Sequence, residues 1–234
     1  MLSTPLDGPV CHGCWTAVRP ITPPICERCG DPLASRRVVS CCSERCPRCR
    51  RTPRPIDRSR AIGEYDGALR QIIHALKYDG RRSIAQPLGK LMKEYGSGLL
   101  KGADWAVPVP LHPRRERMRG FNQAAELARY LDLPVCLALQ RVHDTLPQVD
   151  LPAPQRQANV RGAFRLAGGY GRLAGRRRHL PDWSRACVLL VDDVSTTGAT
   201  LNACARVLKN AGVAEVRAIT AARVVRPQSS PPFP

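Results

Sequence analysis

Aromatic side chains are scarce in this chain: 3 Trp, 5 Tyr and 3 Phe make up 5% of its 234 residues. A surface that reads nucleic acid by stacking a ring on each base uses many of them, so their scarcity argues against an extensive stacking platform. Acid is scarce too, with 19 Asp and Glu against 37 Lys and Arg, and the formal net charge is +18. That balance points toward anionic partners such as nucleic acid, phosphorylated metabolites or a membrane surface. An arginine-biased composition produces the same number, so charge alone names no partner. Long apolar runs are missing. No stretch of about 18 apolar residues occurs, and no membrane span is expected. The opening "MLSTPLDGPV" lacks both the basic n-region and the apolar core of a signal peptide. A cytoplasmic, reducing location follows as the expectation, and disulfides are rare there.

Cysteine, by contrast, is abundant. Of eleven cysteines, eight precede residue 50, and six of those form the pairs "CHGC", "CERC" and "CPRC". The segment around them is rich in Pro and Arg and too poor in large apolar residues to build its own core. Cys26, Cys29, Cys46 and Cys49 give C-x2-C-x16-C-x2-C, a zinc-ribbon spacing. Four thiolates on two tight knuckles suit tetrahedral Zn²⁺, and Gly30 fits the turn after one of them. Cys11, Cys14, Cys41 and Cys42 are further candidates, either sharing that site or serving a second one. A redox-active C-x-x-C pair is the competing reading. Cys136, Cys187 and Cys204 lie in apolar runs and read as core.

The stretch "RRTPRPIDRSR" (50–60) reads as a linker, and the texture changes near Ala61. "YDGALRQIIHALKYDG" carries Leu69, Ile72, Ile73 and Leu76 at helical spacing, and "SIAQPLGKLMKEYG" predicts a helix ended by Gly96. "ADWAVPVPL" predicts a short strand and "FNQAAELARYL" a helix. "CVLLVD" (187–192) is a continuous apolar run, as a parallel strand buried on both faces requires. "LNACARVLKNAG" puts Leu201, Cys204, Ala205 and Leu208 on one helix face, with Gly212 at its end. "VAEVRAITAAR" returns as a strand. Strand, helix, strand implies a right-handed parallel crossover. The segments 148–164 and 168–183 are long and irregular, and loops of that length tend to be functional. His74, His112 and His143 show no partner pattern and read as structural or surface residues.

The chemistry concentrates in "VLLVDDVSTTGATL". A strand, a tight loop and a helix bring backbone N–H groups and the positive end of a helix dipole to one spot, which suits phosphate. Ser195, Thr196, Thr197 and Thr200 add hydroxyls, Ala199 begins the helical pattern, and Gly198 permits close approach. Asp192 and Asp193 would repel phosphate if aimed at it. They make sense for a ligand with phosphate at one end and adjacent hydroxyls at the other, which is the layout of ribose 5-phosphate.

This stretch resembles the phosphoribosyl-pyrophosphate (PRPP) signature of type I phosphoribosyltransferases. With "VPVPL", "RMRGFNQAAELA", "LPQVDLPAPQRQANVRGAF" and the cysteine ribbon, the chain resembles the ComF/GntX family from about residue 11 to 223. The resemblance implies an α/β fold, a type I phosphoribosyltransferase-like parallel sheet flanked by helices and preceded by a small zinc ribbon. It divides the chain into a ribbon at 1–55, a phosphoribosyltransferase-like domain at 60–226 and a disordered tail at 227–234. Asp192 and Asp193 would take the ribose 2- and 3-hydroxyls and carry the catalytic role, and 195–200 would cradle the 5-phosphate. The loop 109–119, ending in Arg119, would face pyrophosphate. Gln155, Arg156, Asn159 and Arg161 would sit on a flap over the site. Mg²⁺ would bridge pyrophosphate and ribose oxygens. The resemblance also implies a role in natural transformation, with single-stranded DNA and a competence helicase as partners. The acceptor is open, as is the choice among a pentosyl-transferring enzyme, a DNA- or partner-binding module and a regulator that senses PRPP. Met1 and Leu2 offer no N-terminal cysteine nucleophile, so a full glutamine-dependent amidophosphoribosyltransferase reaction is not expected.

Overall fold

A computed structural model describes residues 9–33, 44–143, 160–167, 172–173, 176–177 and 183–225. The cysteine-rich segment opens with α1 (His12–Thr16) and ends with α2 (Pro47–Arg51). Behind it come β1 (Arg58–Glu64), α3 (Gly67–Tyr78), α4 (Ala85–Tyr95), α5 (Ser97–Leu100) and β2 (Trp105–Pro108). Next are α6 (Pro113–Arg119), α7 (Gln123–Ala128) and the short antiparallel pair β3 (Leu139–Arg141) and β4 (Phe164–Leu166). Two backbone fragments, β5 (Arg172–Leu173) and β6 (Arg176–Arg177), pair antiparallel. The last unit is β7 (Cys187–Ser195), α8 (Ala199–Asn210) and β8 (Glu215–Arg223). Among the described residues no helix is long and apolar enough to cross a membrane.

Four strands form one parallel sheet in the order β1-β8-β7-β2. β7 lies inside it and is buried on both faces, which is why its first five residues, 187–191, read as an unbroken apolar run. Leu189 and Val191 face one core with Ile73, Leu76 and Leu88 of α3 and α4. Val188 and Leu190 face a second core with Leu201, Cys204 and Leu208 of α8. The expected apolar face of α8 is therefore the buried one. Gly96 caps α4, and Gly212, at φ +93°, follows the last turn of α8. The parallel sheet with flanking helices, together with a cysteine cluster that could form a zinc ribbon, bears out the fold class read from the sequence.

Three local readings need correction. β7 runs three residues beyond Asp192, to Ser195, because the register with β8 continues through Asp192↔Thr220 and Val194↔Ala222 to Ser195↔Arg223. Both aspartates thus belong to the strand. The stretch 50–60 is not wholly a linker, since α2 takes its first residues and β1 its last. β1 hides in the sequence because its polar residues face the cysteine segment: Ser59 N donates to Arg28 O at 2.7 Å and Arg60 Nη1 to Glu27 O at 2.8 Å. Finally, Phe164 starts a strand within what reads as an irregular region.

Candidate functional site

Strand alternation decides where the two carboxylates go. Residues 189, 191 and 193 share the face that packs on α3, and 188, 190 and 192 share the face that packs on α8. Asp193 is 3% exposed and Asp192 8%, so the pair straddles the C-terminal edge of the sheet under nearly full burial. Each carboxylate is fixed by the next backbone N–H: Asp193 N donates to Asp192 Oδ1 at 2.9 Å, and Val194 N to Asp193 Oδ1 at 2.8 Å. Lys77, in the last turn of α3, places Nζ 2.6 Å from Asp193 Oδ2. Asp192 pairs with no cation among the described residues. Burial and the neighbouring Asp193 charge push the Asp192 carboxyl well above the ordinary range. Burial also works against the Asp193 charge, but Lys77 outweighs it and holds Asp193 below the ordinary range. Lys77 moves the opposite way, since the Asp193 carboxylate overcomes its burial and raises its pKa.

Beyond the pair, the chain turns through Gly198 at φ +76°, a backbone state that favours glycine, and enters the twelve-residue α8. Thr197 Oγ1 accepts from Ala199 N at 3.3 Å, and Asn202 N donates to Gly198 O at 2.9 Å. Ser195 is buried, with its carbonyl accepting from Val224 N at 2.9 Å. Thr196 Oγ1 is buried and has no hydrogen-bond partner among the described residues. A buried hydroxyl with nothing to bond is what a loop shaped around an absent anion would leave. Thr200 lies in the first turn of α8.

The cysteine cluster backs this loop. The sulfurs of Cys26, Cys29, Cys46 and Cys49 lie within 4.8 Å of one another, and all four residues are buried. Gly30 N donates to Cys26 O at 2.8 Å, and Cys49 N to Cys46 O at 2.9 Å, as metal knuckles do. Four thiols drawn together around one point fit a tetrahedral metal such as zinc, whose Zn–S bonds are about 2.3 Å. Arg48, between two of these cysteines, donates from Nη2 to Thr197 O at 3.2 Å. Arg223 at the end of β8 donates to Cys29 O and pairs with Asp31 Oδ1 at 2.8 Å. The segment is thereby bonded to both the loop between β7 and α8 and the sheet.

Other expected site residues are placed less centrally. Arg119 ends α6, its guanidinium 5.3 Å from the Tyr78 ring centroid and bonded to Gln123 Oε1. Arg161 is exposed in the turn before β4. Gln155, Arg156, Asn159, Cys41 and Cys42 lie outside the described residues. Cys11 and Cys14 sit at the start of α1, apart from the four-cysteine cluster. For magnesium, the protein groups at the strand end are two carboxylates, one already paired with Lys77. That set is no cage for the ion, which would be left to phosphate oxygens and water. Sequence reasoning missed Lys77, Arg48 and Arg223. Lys77 reads as a helix-end cation in a chain full of them, and nothing local marks the other two.

Residues 117–231 match the family model described as a phosphoribosyl transferase domain. The chain is 31% identical over 218 residues to competence protein F of Haemophilus influenzae, covering 89% of this chain and 87% of that protein. It is 32% identical over 219 residues to the DNA utilization protein YhgH of Escherichia coli, with the same coverage. Competence protein ComFC of Bacillus subtilis is 27% identical over 209 residues, covering 89% of this chain and 81% of that protein. Among solved structures, a hypoxanthine phosphoribosyltransferase from Staphylococcus aureus aligns over 58% of this chain and 62% of its own, at 16% identity and a TM-score of 0.32.

Proposed function

This chain belongs to the ComF family, the family of competence protein F and YhgH, and from that premise we propose that it binds PRPP or a related ribose 5-phosphate with Mg²⁺ and serves DNA uptake. The observation that carries the proposal is the join between β7 and α8. Two buried carboxylates stand at the end of the strand, and a glycine turn, with a Thr196 hydroxyl that has no partner among the described residues, leads into a helix N-terminus. Ribose hydroxyls donate to the carboxylates. The 5-phosphate lies against the loop amides and hydroxyls of 195–200, where the helix dipole adds to their attraction. Magnesium, when bound, neutralises the pyrophosphate charge.

Phosphoribosyl transfer at such a site is a displacement at ribose C1. The bond to pyrophosphate breaks, a bond to an acceptor forms, and the acceptor gives up its proton. The chain contributes by orienting the sugar and by holding charge in fixed places, which is where most of the rate gain in such reactions arises. Zinc in the four-cysteine cluster would have a structural part, since four thiolates fill its tetrahedral positions.

Calorimetric titration with PRPP and with ribose 5-phosphate, each with Mg²⁺, tests the reading. Saturable one-to-one binding of at least one of them is expected. Absence of heat for both, in a folded protein, overturns it.

A further inference from the structure

Lys77 is the one cation drawn onto the carboxylate pair among the described residues. Its side chain is 17% exposed, and its Nζ sits 2.6 Å from Asp193 Oδ2. It comes from α3, more than a hundred residues before the motif, and it approaches from the face of the sheet that Asp193 occupies. On the opposite face Asp192 lies near the buried Cys204 thiol, which burial keeps neutral, and the Arg141 guanidinium acts on that thiol without forming an ion pair with Asp192. The arrangement is lopsided: among the described residues one carboxylate has a cation paired with it, and the other has no ion pair.

We propose that Lys77 is a positioning residue that neutralises Asp193 where it stands, making the pair an acceptor of ligand hydroxyls instead of a divalent-cation site. This rests on the ribose-phosphate reading of the site. Two bare carboxylates at adjacent positions attract a divalent ion, because each supplies a hard, charged oxygen. With the lysine ammonium already against Asp193, a cation brought to the pair meets a like charge in a poorly solvated place, where such repulsion is strong. Hydroxyl groups meet no such penalty. Each carboxylate oxygen still has a lone pair to offer, since an ionised carboxylate accepts about four bonds. The lysine thereby excludes a metal from the carboxylates and leaves the magnesium to the ligand's own phosphate oxygens.

Titration with Mn²⁺ alone, followed by electron paramagnetic resonance, reads the pair without any sugar ligand. The wild-type protein and Asp193→Asn should retain the same amount of Mn²⁺. Lys77→Met should gain a site that disappears when Asp193→Asn is added, and Lys77→Arg, which keeps the charge, should gain none. Wild-type protein that holds a Mn²⁺ lost in Asp193→Asn overturns the proposal without recourse to any Lys77 variant, and so does a folded Lys77→Met that gains none. A second arm uses calorimetry. Lys77→Met should bind ribose 5-phosphate at least tenfold more weakly while its affinity for inorganic phosphate stays within twofold, a split that general loosening of the fold does not produce. If wild-type protein binds no ribose phosphate at all, the reading of the site fails, and the Mn²⁺ arm still reports on Lys77.

Discussion

At the scale of the residue, two adjacent aspartates have their pKa values pushed in opposite directions. Asp192 is raised, first by burial and then by its neighbour's charge. The folded state therefore holds its proton above the ordinary value of 3.8, and stability falls as pH climbs through the raised folded value. Asp193 is lowered because Lys77 outweighs burial. Its contribution is present above 3.8 and is lost as pH falls through the lowered value. Melting temperatures measured across pH should show this directly. Asp192→Asn should match the wild type in acid and become the more stable protein as pH rises toward neutrality. Asp193→Asn should be the less stable protein near neutrality, with the gap closing in acid. Parallel pH curves for the two variants would mean that the lysine does not distinguish the carboxylates. Of this, the sequence showed only that two carboxylates end a buried strand. Their different fates depend on which sheet face each occupies and on what packs there.

At the scale of the element, the cysteine segment backs the loop between β7 and α8. Arg48 holds Thr197 O, and Arg223 holds Cys29 O and Asp31. Metal analysis of purified protein should find at least one zinc per chain, and Cys29→Ser should lose it. Because metal binding and local folding are coupled in such small segments, the same variant should also bind inorganic phosphate several-fold more weakly. Its far-ultraviolet dichroism should change little, since the parallel sheet has its own core. A metal-free wild-type protein with freely titrating thiols would contradict this. The ligand spacing was legible because knuckles are local in sequence, as were α3, α4 and α8 from their apolar periodicity. β1 was not, because Arg58, Ser59 and Arg60 are polar to suit neighbours that only the fold supplies. Nor were β3 and β4, which at three residues each carry too little alternation to read.

At the scale of the whole molecule, a formal charge of +18 bears on the proposed role in DNA uptake. Binding to single-stranded DNA should weaken steeply with salt, with a log–log slope of roughly −0.7 for each phosphate neutralised, and affinity indifferent to salt would remove the electrostatic basis. Composition made that expectation available from the start. The pairing of Lys77 with Asp193 was hidden, because it joins segments that only the sheet brings together. The central claim is that the strand end holds the sugar and the loop holds the phosphate, and calorimetry on two variants tests it most directly. Asp193→Asn should lose the preference for ribose 5-phosphate over inorganic phosphate while still binding phosphate. Thr197→Val combined with Thr200→Val should weaken both ligands, by about 1.5–3 kcal/mol for each hydroxyl removed from a charged group. If the two variants weaken the two ligands alike, or if the wild type shows no preference for the sugar phosphate, the division of labour between strand and loop is wrong.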